Sequence, residues 1–193
     1  SIYSNLFKRA FNADTITSKE IAFALSQFVR TLSSYNSKWD SVLRGETSLN
    51  HAEEIGRELF FSEKGDCFHC HGTILLSDNS FHNNGLDSLP DLGRSEITSN
   101  EKDVGKFKTP TLRNIEFTAP YMHDGRFASL KEVIDFYSEG LNWSSSIDPL
   151  IKQVHQGGVH LNSEEKSNLI SFLKTFSDST LINNPDFSDP FMK

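Results

Sequence analysis

Apolar side chains recur every three or four residues in four stretches of the chain, and small polar residues introduce them. Thr17-Ser18-Lys19-Glu20 has the form of a capping box, with Ile21, Leu25, Phe28 and Leu32 following on one face, which predicts a helix to about Leu32. Asn50 opens a second helix that runs through Phe61 and aligns Ile55 with Leu59; Gly65 lies beyond it as a stop. Ser129-Leu130-Lys131-Glu132 is another capping box. The helix it starts carries Leu130, Val133, Ile134 and Tyr137, and Gly140 ends it, so Tyr137 is expected on the buried face. A last helix follows Asn162, with Glu165 three residues on, and lines up Leu169, Ile170, Leu173 and Phe176.

The intervening segments lack this periodicity. "SSYNSKWDSVLRGETSL", 33 to 49, is polar and turn-rich and predicts a linker. From Thr73 to Asp103 the chain is rich in Asn, Ser, Asp and Gly, which predicts a long surface loop; a loop of that kind either covers a ligand or is disordered. Phe81, Leu86, Leu89 and Leu92 are its expected apolar anchors. "TPTL", 109 to 112, reads as extended, and Asp124-Gly125 as a tight turn held by His123. With no strand alternation of useful length and no internal repeat, the pattern predicts an all-α domain with long loops.

A chain of 193 residues can bury one sizeable core, or one core with a small appendage. The apolar fraction, 36%, is thin for that length, yet sixteen phenylalanines are present, and an apolar prosthetic group packed against aromatic rings would complete such a core. A net charge of −7 without any Lys/Arg run argues against nucleic acid or an anionic membrane as partner. No stretch approaches the ~18 apolar residues of a membrane span. The opening "SIYSNLFKRAF" lacks the features of a secretion leader and reads like the middle of a longer protein, so an exported protein would appear here without its leader.

The only two cysteines lie in "EKGDCFHCHGT" as Cys67-x-x-Cys70-His71. Cys-x-x-Cys-His is the attachment signature of c-type haem: two thiols add to the porphyrin vinyl groups and the adjacent histidine reaches the iron. On that reading Cys67 and Cys70 are the thioether anchors, His71 is the proximal ligand, and the cofactor is one covalent haem c. Three other readings compete. A thioredoxin-like pair needs a βαβ context that the pattern lacks, a zinc site needs two further ligands for which His69 and His82 are strained choices, and a plain disulfide leaves His71 unexplained. Because covalent haem attachment occurs outside the cytoplasm, the expected compartment is a bacterial periplasm.

Resemblance extends this reading. "GRELFFSEKGDCFHCHG" resembles the N-terminal helix and haem turn of class I cytochromes c, with Gly56 and Phe60 where that family packs this helix on its C-terminal partner, here "LNSEEKSNLISFLKTFSD". "GKFKTPTLRNIEFTAPYMHDGRFASLKEVIDFYSEG", 105 to 140, is similar to the C-terminal haem domain of bacterial di-haem cytochrome c peroxidases and MauG-type proteins. "ALSQFVRTLSSYNSKWD", 24 to 40, resembles the helix and linker joining the two haem domains, although Val29 stands where an acidic residue is common. The resemblance implies a cytochrome c-like all-α domain preceded by a linker helix. It divides the chain into 1–48, the end of an N-terminal haem domain with its linker; 49–180, the haem domain; and 181–193, a tail.

The same resemblance implies an electron-relay domain that passes electrons to or from a peroxide-reactive haem in an N-terminal domain of the same protein. No catalytic residue is then expected in this chain, and the donor would be a small cytochrome or cupredoxin. Peroxidases of the family use methionine as the sixth iron ligand and MauG-type proteins use tyrosine. Here the tyrosine position is Tyr137; Met122 is the alternative, and His123 or an open position remains. With Met122 as ligand, the chain would instead be a monohaem electron carrier. Arg113 and Lys108 flank "TPTL" and are candidates to pair with the haem propionates, against a solvated face. The resemblance also implies a calcium ion on the backbone carbonyls of Thr118 and Pro120. Trp39 and Trp143 are open to an electron-path role, His51, His155 and His160 read as surface residues, and the oligomeric state, a homodimer included, stays open.

Overall fold

The computed structural model describes residues 2–189 and residue 191, which fall into two compact units: residues 2–35 with 180–189 and 191, and residues 36–179. The first unit contains α1 (Ile2–Phe11), which lies outside the predicted helices, and α2 (Ser18–Thr31). Both halves of the Thr17–Glu20 capping box are present. No residue of either helix is buried, so the predicted face of α2 exists but stays open, with Leu25 59% and Phe28 49% exposed. Ring contacts of Phe11 with Phe7 and Phe23, and of Phe28 with Phe187, tie this unit together.

The second unit begins with a helix where a linker was expected. Ser37 and Asp40 form a capping box that starts α3 (Lys38–Leu43). Both side chains are buried because Arg113 grips the Asp40 carboxylate with two bonds of 2.9 Å, and the Trp39 N–H donates to the Thr175 carbonyl at 2.9 Å. Asn50 caps α4 (His51–Phe60), and Asn162 caps α8 (Ser163–Lys174). These two helices pack so closely at Gly56 that a Cβ there would lie 2.1 Å from the Asn168 carbonyl oxygen. Only glycine permits that approach. Between them Phe60, Phe172 and Phe176 are fully buried, meeting edge to face with Trp39 against them, a geometry that aromatic quadrupoles favour. Ser129-capped α7 (Leu130–Glu139) adds Leu130 and Ile134 to this core, with Leu76, Tyr121 and Leu161.

Residues 73–103 lie along the unit, with only the four-residue α6 (Ser95–Thr98) and a short 3-10 turn (Glu101–Asp103) besides a two-residue strand, and their anchoring differs from the expected one. Of the four apolar anchors only Leu86 is buried; Leu89 is 91% exposed and Leu92 55%, and Phe81 lies under the Arg94 guanidinium. Polar groups hold the loop instead. Asn83, 2% exposed, donates to Ser144 Oγ and Ser146 Oγ at 3.1 and 3.0 Å, and His82 bonds Asp78 and Asp148. A segment poor in apolar side chains must bury backbone and polar heads, and each of these needs a partner. A short antiparallel pair, β1 (Phe81–His82) with β2 (Phe107–Lys108), closes the loop base. The Asp124-Gly125 turn is present, with Met122 and Gly125 both at positive φ, but Arg126 rather than His123 braces it, through Asp124. His123 stacks on Phe107 and bonds Asp91. Among the described residues no helix is long and apolar enough to cross a membrane.

Candidate haem site

Cys67, Cys70 and His71 share one helical turn. Cys67 precedes α5 (Phe68–His71), and its carbonyl accepts the His71 N–H at 3.0 Å. Both cysteines are free thiols, so the pair forms no disulfide. Burial pushes the Cys67 thiol up to about 12 and the Cys70 thiol up to about 11. Such thiols stay protonated at neutral pH, the opposite of the depressed thiol that a redox dithiol requires.

His71 is held in one tautomer. Its Nδ1 lies 2.8 Å from the Leu76 carbonyl oxygen, which can only accept, so Nδ1 carries the hydrogen and Nε2 the lone pair. Burial also lowers the His71 pKa and keeps the ring neutral. Leu76 is itself unusual, a bulky buried residue at φ 51°, and its carbonyl also takes the Leu112 N–H at 3.2 Å. A ring nitrogen anchored to a carbonyl and the other left as a lone pair is the arrangement in which histidine serves a metal. With two protonated thiols on the same turn, this donor set fits a haem c.

Tyr137 and Met122 converge on one side chain. Asn84 Nδ2 donates to Tyr137 Oη at 3.0 Å and lies 3.7 Å from Met122 Sδ. Burial pushes the Tyr137 phenol up to about 12, against the Asn84 hydrogen bond; charge on Cys70 and Cys67 would raise it further, so the phenol is within electrostatic reach of the haem motif. Asn84 escaped the sequence reading, because an asparagine inside an Asn/Ser/Gly-rich loop has no spacing to mark it.

The remaining expected site residues lie elsewhere. Arg113 has its fork on Asp40 and also reaches the Ile74 carbonyl, while Lys108 is exposed on β2. Thr118 and Pro120 are exposed, as are His51, His155, His160 and Trp143. Two groups of metal-ligating types occur among the described residues. In the first, Cys70 faces His82, whose ring bridges Asp78 at 2.8 Å and Asp148 at 2.7 Å. Burial opposes charge on His82, but hydrogen bonds to Asp148 and Asp78 prevail and raise its pKa. In the second, Glu63, Asp66 and His69 already hold a cation, the Lys152 ammonium, 2.6 Å from Glu63 and 3.6 Å from Asp66.

The chain is similar to known haem proteins of one family. Residues 1–48 match the sequence model of the family described as di-haem cytochrome c peroxidase. The cytochrome c551 peroxidase of Nitrosomonas europaea is 34% identical over 201 residues, covering 98% of this chain and 52% of that protein. The methylamine utilization protein MauG of Methylophilus methylotrophus is 35% identical over 184 residues, covering 93% of this chain and 53% of that protein. The crystal structure of a MauG-like protein associated with microbial copper homeostasis superposes with a TM-score of 0.88 at 38% identity, over 99% of this chain and 63% of that one. The chain thus spans about half the length of the curated relatives it matches. Its fold is all-α and cytochrome c-like, and it belongs to the di-haem cytochrome c peroxidase and MauG family.

Proposed function

We propose that residues 36–179 would hold one haem c, tethered through Cys67 and Cys70, with His71 Nε2 and Tyr137 Oη as the residues that would bind its iron. The observation that carries this reading is the fixed tautomer of His71, whose Nδ1 is anchored on Leu76 O one turn from two protonated thiols. A haem c bound there supplies one-electron redox chemistry. The chain's own residues supply the rest: His71 offers a neutral lone pair, the thiols tether, and loop 73–103 reaches Tyr137 through Asn84. In this reading the domain relays electrons to or from a peroxide-reactive haem in a second domain of the same protein, with a small cytochrome or cupredoxin as donor and the periplasm as compartment. A propionate role for Arg113 would require it to share its fork with Asp40; Lys108 is free of that competition. Calcium on the Thr118 and Pro120 carbonyls would need its side-chain ligand from the second domain.

One observation favours a second reading. Met122 Sδ stands at the same amide as Tyr137 Oη, so a thioether-ligated, monohaem-type electron carrier is the alternative. The two ligands act in opposite directions, since an anionic phenolate favours ferric iron and a soft thioether favours ferrous iron. Ferric spectra and midpoint potentials of Tyr137→Phe and Met122→Ala separate them. The expected outcome is a changed low-spin signal and a raised potential for Tyr137→Phe only. A change in Met122→Ala alone transfers the ligand to methionine.

A further inference from the structure

We propose that Asn84 is the positioning residue that selects tyrosine over methionine as the sixth iron ligand, an inference that rests on the haem reading above. The geometry has three parts. Asn84 Nδ2 has two hydrogens and two neighbours, Tyr137 Oη at 3.0 Å and Met122 Sδ at 3.7 Å. The amide is therefore placed where the two competing ligands meet. Its backbone is pinned on both sides. Asn83 is locked by Ser144 and Ser146 and accepts the Gly85 N–H on its own Oδ1 at 3.0 Å, and the Gly85 carbonyl accepts the Asn142 N–H at 2.8 Å. Gly85 sits at φ +74°, where a Cβ would come within 3.0 Å of the Asn142 carbonyl oxygen, so the platform under Asn84 has little room to shift.

Selection follows from the chemistry of the two acceptors. A hydrogen bond to an anion is roughly twice as strong as one between neutral groups, whereas a thioether sulfur is a weak acceptor. The Asn84 donor consequently stabilises a Tyr137 phenolate strongly and a coordinating Met122 hardly at all. Without the donor the balance tips to the neutral ligand. Asn84 acts through Tyr137 and need not touch the iron.

The test compares holoprotein variants by ferric absorption and electron paramagnetic resonance, with redox titration alongside. Asn84→Asp keeps the size of the side chain, removes its donors and sets a carboxyl against the phenol; Asn84→Leu keeps the volume without any polarity. Both are expected to lose the phenolate-to-iron charge-transfer absorption, to gain the weak red band of thioether ligation, and to shift the midpoint potential upward. Adding Met122→Ala to either is expected to abolish that red band and leave high-spin iron. If Asn84→Asp retains the phenolate signature while Tyr137→Phe loses it, the role of Asn84 is overturned and the tyrosine ligand stands. A potential that falls with tyrosine still bound overturns selection as well. If Tyr137→Phe leaves the spectrum unaltered, the ligand assignment itself fails, a result distinct from the other two.

Discussion

His82 is the residue at which the wrapping loop meets the rest of the second unit, since its ring carries one hydrogen bond to Asp78 within the loop and another to Asp148 sixty-six positions on. A charged imidazolium satisfies both carboxylates at once; a neutral ring can donate to only one. Its folded pKa is raised above the ordinary value, so its contribution is fully present below about 6.5 and is lost as pH rises through the folded pKa. Melting temperature measured across that range should fall for the wild type relative to His82→Gln, which lacks the titrating group; parallel curves would remove His82 from the loop's anchoring. Asp40 behaves with the opposite sign. Burial opposes its charge, but the Arg113 and Ser37 hydrogen bonds prevail and lower its pKa, so its contribution persists above the carboxylate range and fades only as pH falls through the lowered value. Local chemistry made the haem motif readable, since Cys-x-x-Cys-His is a contiguous signature; Tyr137 became a candidate through the family resemblance, and helical spacing added only an expected buried face. Asn84, Asp148 and Leu76 were not readable, because their roles depend on partners distant in the chain or on a backbone angle that no spacing encodes.

At the level of elements, the helices capped by Thr17, Asn50, Ser129 and Asn162 appear where the pattern predicts them, since a capping box is a contact within four residues and is complete in the sequence. Helix α3 has the same device at Ser37 and Asp40, but its six residues are too short to show periodicity, and they read as linker. The loop misled in another way: Leu89 and Leu92 suggested apolar anchors but are exposed, while Asn83, Ser77 and Ser95 are buried beside Leu76 and Leu86. The α4–α8 contact gives a test of sign. Replacing a helix-interior glycine by alanine ordinarily stabilises by roughly 0.5–1 kcal/mol. At Gly56 the added methyl would strike the Asn168 backbone and Phe172, and overpacking of this kind costs about 1–3 kcal/mol. Chemical denaturation of Gly56→Ala should therefore show a lower midpoint, and a higher one would mean that the helices have room to part.

At the scale of the whole molecule, every buried apolar side chain among the described residues, from Leu59 to Phe176, belongs to the unit 36–179. The helices of the other unit keep their apolar faces open. That contrast was partly legible, since the helical stretches and the haem motif point to one core, while the boundary near residue 36 depends on long-range bonds of Trp39 and Asp40 that no local pattern reveals. The bonds that draw Asn36 to Asp178 and Trp39 to Thr175 bring the entry and the exit of this unit side by side. A body whose two ends meet can be reconnected there and cut open elsewhere without changing its interior. A circular permutant of 36–179, joined head to tail by a short glycine–serine tether and opened beside Leu89, should take up haem and unfold in one cooperative step; a permutant that stays colourless would show that the order of synthesis matters as much as the finished contacts.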